Sequence, residues 1–396
     1  MPSARHVLIN GLSIGSGGGY TVGRELLHHL AIERPNAVFT IVLIEGHKLH
    51  EQMRLESLPA NCRLMFAPPE TRGLRARARY ERVALCDWVR KEKINAVLQL
   101  NGMIIPGMPA PVLCHNQDPW PYRPEAWTSY KDPLIAFLKR RAHAKAIRAA
   151  DSTGWTSAYL RDLICGRLGL TPRRSQVFYN GVPESWIERA RTALPASEGR
   201  PMEIVTVSNV SAYKRQDLVV RAVAKLITRP GLGNLVYRIV GAPFDGFDET
   251  LKSLARSLNI ADHVVIEGRV SDDRVTTVMR QARCFVLMSV CESFGIPMVE
   301  AMSFGTPVVV SDCCAMPEVC GDAADLSPVD DVAALADRIE RVLLDPEHAL
   351  DLRARGAQRV GHFGWRQTAV LMAAALDDIA RVRQIPATMP GKASSN

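Results

Sequence analysis

Nothing in this 396-residue chain approaches the ~18 consecutive apolar residues that span a bilayer, and its mean hydropathy is −0.02. An integral membrane protein is excluded. The nine cysteines form no C-x-x-C pair and no evenly spaced framework, so disulfide and zinc scaffolds are poor readings; most are expected to be reduced, buried and apolar in behaviour. The opening run MPSARHVLIN enters a strand-like segment with no apolar h-region or cleavage site. The expectation is a cytoplasmic protein. Aromatic residues make up only 6% of the chain, and none interleave with its arginines in the manner of a nucleic-acid binder.

What is present is a globular balance, 47% hydrophobic and 23% charged, with length enough for two domains. Its net charge of +8 is unevenly placed. Residues 1–180 hold 25 Lys+Arg against 14 Asp+Glu, whereas the remainder holds 24 against 27. The first half is basic and the second is not.

Short β-branched runs alternate with segments of helical periodicity, the pattern of βα units on a parallel sheet. Strands are expected at Val7–Ile9, Phe39–Ile44, Arg63–Phe66, Ala96–Leu100 and Gln176–Tyr179, then at Glu203–Val207, Tyr237–Val240, Val264–Glu267, Cys284–Leu287 and Pro307–Val310. Helices are expected between them, including Thr21–Ala31, Arg79–Lys93 and Pro133–Ala149. Residues 189–201 (RARTALPASEGRP) are small, polar and proline-broken, as a linker is. The reading is two doubly wound Rossmann-like α/β domains, 1–185 and 186–362, then an amphipathic helix at 363–384 and a disordered tail at 385–396. Open sheets of this kind bind ligands beyond the carboxyl ends of their strands.

Three loops carry chemistry. After the first strand, residues 10–19 (NGLSIGSGGG) lead into a helix, a setting in which backbone N–H groups meet an anion; the dinucleotide fingerprint spacing is not met. Residues 205–217 (VTVSNVSAYKRQD) place Lys214 and Arg215 just before a helix N-terminus, where a cation is unfavourable unless an anion is near. Residues 291–307 (CESFGIPMVEAMSFGTP) place Glu292 in a turn and Glu300 on the apolar helix that follows. A glutamate in such surroundings needs a polar partner.

The stretch ESFGIPMVEAM, followed by GTPVV, resembles the E-x7-E signature of retaining glycosyltransferases of family 4, or group 1, which have the GT-B fold. NGV at 180–182, GRVSDD at 268–273 and FGW at 363–365 resemble other family segments in the same order. The resemblance implies two Rossmann-like domains facing a central cleft, with a C-terminal helix crossing back to the first, acceptor-side domain. It implies that Glu300 binds the ribose of a nucleotide sugar and that Lys214, with N–H groups of Gly18 and Gly19, meets the diphosphate. Glu292 and the backbone of Phe294, Gly295 and Ile296 would hold the transferred sugar, and Arg269 and Val270 would lie against the base. His115 would project from a strand end toward that sugar, with Asn116 and Asp118 as acceptor contacts. One departure stands out, because Asn209 occupies a position where the family usually has arginine. Charge on the diphosphate then leans on Lys214, helped by Arg215.

No Asp-x-Asp occurs, which accords with a metal-independent enzyme without a cofactor. The implied activity is transfer of a hexosyl group, mannosyl among the candidates, to a glycan or lipid-linked acceptor in polysaccharide or cell-envelope assembly. Base, sugar and linkage stay open, as do two alternatives: an inactive nucleotide-sugar binder and a nicotinamide-dependent oxidoreductase. The cations at Lys139–Arg141, preceded by Leu134, Ile135, Phe137 and Leu138, suit a peripheral contact with an anionic membrane better than nucleic acid.

Overall fold

The computed structural model describes residues 6–14, 18–46, 58–192 and 199–384. Seven strands form the first sheet: β1 His6–Asn10, β2 Val38–Ile44, β3 Cys62–Ala67, β4 Ala96–Gln99, β5 Val112–Asn116, β6 Ser152–Trp155 and β7 Ser175–Val177. Six form the second: β8 Glu203–Val207, β9 Val236–Val240, β10 Val264–Gly268, β11 Cys284–Leu287, β12 Val308–Ser311 and β13 Asp325–Ser327. Their orders are β3-β2-β1-β4-β5-β6-β7 and β10-β9-β8-β11-β12-β13, and all the pairings are parallel. Strands buried on both faces need continuous apolar runs, and β2 (VFTIVLI) and β12 (VVVS) supply them.

Each order reverses once, at β1/β4 and at β8/β11. Those seams open the crevices in which such sheets bind ligands, and the loops after β1, β4, β8 and β11 rim one cleft between the sheets.

The chain crosses between the domains twice, side by side. Val182 N–H donates to the Phe363 carbonyl at 2.8 Å, and Val182 and Gly364 form a parallel bridge. The helix Trp365–Gln384 then lies on the helix Gly18–Glu33, burying Trp365, Ala369, Met372 and Leu376 in one core with Val22, Leu26 and Leu30. A separate clasp involves Glu318 of the second domain. Its carboxylate accepts from the N–H groups of Ala158 (2.7 Å) and Tyr159 (2.6 Å) and from the Tyr179 hydroxyl (2.9 Å), so it serves the N-terminus of the first-domain helix Ala158–Leu168, where acidic groups are favoured.

The structure departs from the sequence reading in three places. β6 (STGW) and β13 (DLS) are strands too polar and short to signal themselves. The helix expected at Arg79–Lys93 begins at Leu74 and contains a π-helical turn at Glu81–Leu85, which shifts its apolar phase. The expected linker is entered by a helix, Glu184–Thr192; residues 193–198 and the tail at 385–396 lie outside the described residues.

Glu318→Ala strands three donors at the junction. We expect it to cost about 1–3 kcal/mol, read as a lower thermal midpoint by calorimetry; an unchanged midpoint would remove the clasp from the account of stability.

Candidate active site

The centre of the cleft is built from two loops of adjacent strands. After β8 the chain passes through Ser208–Ser211 into a tight turn at Ala212–Lys214, and Arg215 takes left-handed φ of 53° before the helix Gln216–Leu226. After β11 it runs to Gly295, whose φ of 86° starts the helix Ile296–Ser303. Val290 N–H donates to the Tyr213 carbonyl at 2.9 Å, as does the Ser289 hydroxyl at 3.3 Å. These bonds sew the loops together and set the Lys214 ammonium against the Glu292 carboxylate in an ion pair, each side chain only 13% exposed. Burial pulls the Lys214 pKa down, but Glu292 and Tyr213 outweigh it and hold the ammonium above its ordinary value. Lysine stays charged there.

Glu300, one turn into the helix, faces the cleft half-buried, and among the described residues no side chain or backbone N–H donates to its carboxylate. Burial, then the nearby Asp272, pushes its pKa up to about 7. It lines a chamber of about 460 Å³ with Thr21, Asn209, Lys214, Gly241, Arg269, Val270 and Ile296. Gly241 is required at the end of β9, because a Cβ there would sit 1.9 Å from the Ser208 carbonyl oxygen. A second chamber of about 470 Å³ lies between the domains, lined by Gly19, Arg77, Asn101, Asp118, Asn180, Glu292, Phe294, Gly295 and Ile296. Glu292 and Ile296 line both.

Most of the residues singled out in the sequence thus meet around one cleft, but His115, Asn116 and Arg215 do not line its chambers. His115 is 1% exposed. It lies edge-on to Phe178 in the space left by Gly154, where a Cβ would come within 2.9 Å of its Nδ1, and burial lowers its pKa to about 4. Asn116 is also buried, with Nδ2 donating to the Cys114 (3.4 Å) and Gly154 (3.2 Å) carbonyls. Arg215 turns away to Asp217 and Asp330, and Gly18 is the first residue of the helix Gly18–Glu33. The expected cationic patch also divides. Lys139 enters the cleft and pairs with Asp118 at 2.8 Å, and Arg140 packs on Tyr122 and Trp127, leaving Arg141 exposed.

Thr21, Arg77, Gln117 and Tyr213 line the cleft without having been singled out. Tyr213 was adjacent to Lys214 in the loop already chosen; Arg77 was one of several similar arginines, and only the fold selects it.

Residues 188–359 match the sequence model of the family described as Glycosyl transferases group 1. The chain carries a group 1 glycosyltransferase domain. It is 34% identical over 178 residues to a phosphatidyl-myo-inositol mannosyltransferase of Mycolicibacterium smegmatis, covering 43% of this chain and 44% of that protein. It is 30% identical over 192 residues to an N-acetyl-alpha-D-glucosaminyl L-malate synthase of Bacillus anthracis, covering 47% and 48%. The chain therefore matches less than half the length of these relatives. In structure it resembles a sucrose-phosphate synthase of Thermosynechococcus elongatus (TM-score 0.76, 17% identity, 96% of this chain and all of that one). It also resembles the Anabaena HepE protein solved with UDP and glucose (TM-score 0.72, 17% identity, 94% of this chain and all of that one). The fold is GT-B.

An acid whose folded pKa is raised loses stability as pH rises from its ordinary value through the folded one. Charged Glu300 therefore weakens the unliganded domain above about pH 7. Glu300→Gln should melt roughly 2–4 °C above wild type at about pH 8 and level with it near pH 4.5; equal midpoints at both pH values would contradict the burial of this carboxyl.

Proposed function

We propose that the protein is a retaining hexosyltransferase that uses a nucleoside-diphosphate sugar and needs no metal. One observation carries the reading: a buried Lys214–Glu292 pair and a Glu300 carboxylate to which no described residue donates share one cleft at the switch point of the group 1 domain. A ribose diol supplies the two donors that the Glu300 carboxylate lacks. Lys214 exchanges Glu292 for the diphosphate, and freed Glu292 accepts from hydroxyls of the transferred sugar. The acceptor hydroxyl attacks the anomeric carbon on the leaving-group side as the carbon–oxygen bond to the diphosphate breaks, and its proton leaves with the departing phosphate oxygen. Preorganised charge of this kind is the largest catalytic contribution in many enzymes. Asn209 supplies hydrogen bonding at the diphosphate but no charge. The group 1 match favours a nucleotide sugar over a nicotinamide ligand.

We infer a lipid-linked acceptor met at an anionic membrane. The helix Asp132–Ala149 exposes Leu134, Phe137 and Leu138 on its first turns and Arg141, Lys145 and Arg148 further along the same face, an apolar tip followed by cations that suits an anionic interface. Among the described residues no helix is long and apolar enough to cross a membrane.

Calorimetry with UDP, GDP and dTDP, and mass spectrometry of turnover with their sugars, test the donor site. Glu300→Ala should weaken nucleotide binding roughly 10–100-fold, the worth of a hydrogen bond to a charged group. Lys214→Met should slow transfer by roughly 10²–10³; binding without turnover in wild type would instead identify an inactive nucleotide-sugar binder. Flotation with vesicles rich in phosphatidylglycerol should succeed where phosphatidylcholine vesicles fail, and Leu134→Asp with Phe137→Asp should abolish it. Flotation that survives both changes would remove this helix as the contact.

A further inference from the structure

A third chamber, about 880 Å³ and the largest of the three, joins the other two at Glu292 and opens away from Glu300. It shares Asn209, Tyr213, Lys214 and Glu292 with the chamber of Glu300, and its remaining walls are not among the donor contacts proposed above. Gln117, Asp118 and Trp120 face it from the first domain, and Tyr213, Phe244 and Asp245 from the second.

Two aromatic residues stand out in its lining. Phe244 is 52% exposed on the loop after β9, although its backbone is fixed by an N–H donated to the Val210 carbonyl at 2.9 Å. Trp120 is partly exposed, with Lys139 5.0 Å from its ring centroid, Trp127 at 6.2 Å, and its backbone N–H donating to the Asp118 carboxylate at 3.0 Å. Rigid aromatic faces open to water are binding surfaces for a ligand with an apolar side.

The charges define the rest of that ligand. Both ammonium groups in the lining are already paired, Lys139 with Asp118 and Lys214 with Glu292. Asp132 is occupied by the N–H groups of Thr128 (2.7 Å) and Ser129 (2.9 Å). Among the described residues, the carboxylates of this chamber outnumber its cations, so a phosphate or carboxylate has no free countercharge there once the donor diphosphate takes Lys214. Hydroxyl donors, by contrast, find acceptors in Asp118, Asp245 and Gln117.

We propose that this chamber binds the glycan part of the lipid-linked acceptor as a neutral oligosaccharide, its pyranose faces resting on Trp120 and Phe244 and its hydroxyls on the carboxylates. Cavities of roughly 300–1,000 Å³ enclose ligands of drug size, the class to which a di- or trisaccharide belongs. Both domains contribute to this site, which rests on the transferase reading and specifies its acceptor.

The test uses the full chain with saturating UDP or GDP, titrated with maltotriose, cellotriose, mannotriose, their monosaccharides and glucose 6-phosphate, and followed by calorimetry and tryptophan fluorescence. At least one trisaccharide should bind tenfold or more tightly than its monosaccharide and than glucose 6-phosphate. Phe244→Ala, a change at an exposed ring that folding does not need, should weaken it at least tenfold while nucleotide affinity holds; Trp120→Ala should do the same and remove the fluorescence change. Absence of binding by all three trisaccharides, preference for the phosphate, or indifference to Phe244→Ala would each overturn the proposal. Loss of nucleotide binding in wild type, with trisaccharide binding retained, would overturn the transferase reading and leave the chamber standing.

Discussion

The contact on which the site depends is the ion pair of Lys214 and Glu292. Removing two charges from water costs several kcal/mol per ion, which attraction offsets only when the geometry is well fixed. Here it is fixed by topology. β8 and β11 are neighbours although 76 residues lie between the end of one and the start of the other, so their loops leave the sheet side by side and bond through Val290 and Tyr213. Without that bond the lysine would face a helix N-terminus with no counterion. With it, a charged lysine is held in the cleft beside its counterion.

Glu300 is the complement of this pair. Lys214 has its partner within the protein; among the described residues nothing donates to the Glu300 carboxylate, and burial, then Asp272, pushes its pKa up to about 7. A group held in that condition costs the unliganded protein stability, a cost that functional sites commonly carry. The two glutamates thus differ in state: Glu292 neutralises a cation, and Glu300 receives no donor from the described residues.

This difference was legible in the sequence because Glu292, the turn at Gly295 and Glu300 belong to one strand–loop–helix unit, whose geometry local rules determine. His115 was not. Its direction depends on the alternation of β5 and on the room left by Gly154 in β6, a strand with too little apolar character to be recognised in advance. The same holds for Lys139, Arg140 and Arg141, a uniform run in sequence that the helix distributes to the cleft, to aromatic faces and to solvent. Fold class follows from periodicity; which of several like residues reaches a site follows from the packing of distant ones. The terminal helix was recognisable from its amphipathic pattern, and its apolar face is matched by that of the helix Gly18–Glu33.

The basic character of the first half gains a physical meaning from the way the domains join. The two crossings bond to each other at Val182 and Phe363, which makes them one narrow connection, and interfaces between domains of a single chain permit relative motion by default. Rotation about that line would shift Trp120 against Phe244 and Gly19 against Gly295, because each pair has one member in each domain. It would leave Lys214 against Glu292 and Glu300 against Arg269, since all four belong to the second domain. The part of the cleft around Lys214 and Glu300 is therefore rigid by construction, and the part that both domains line is adjustable. The exposed cations of the helix Asp132–Ala149 move with the adjustable wall.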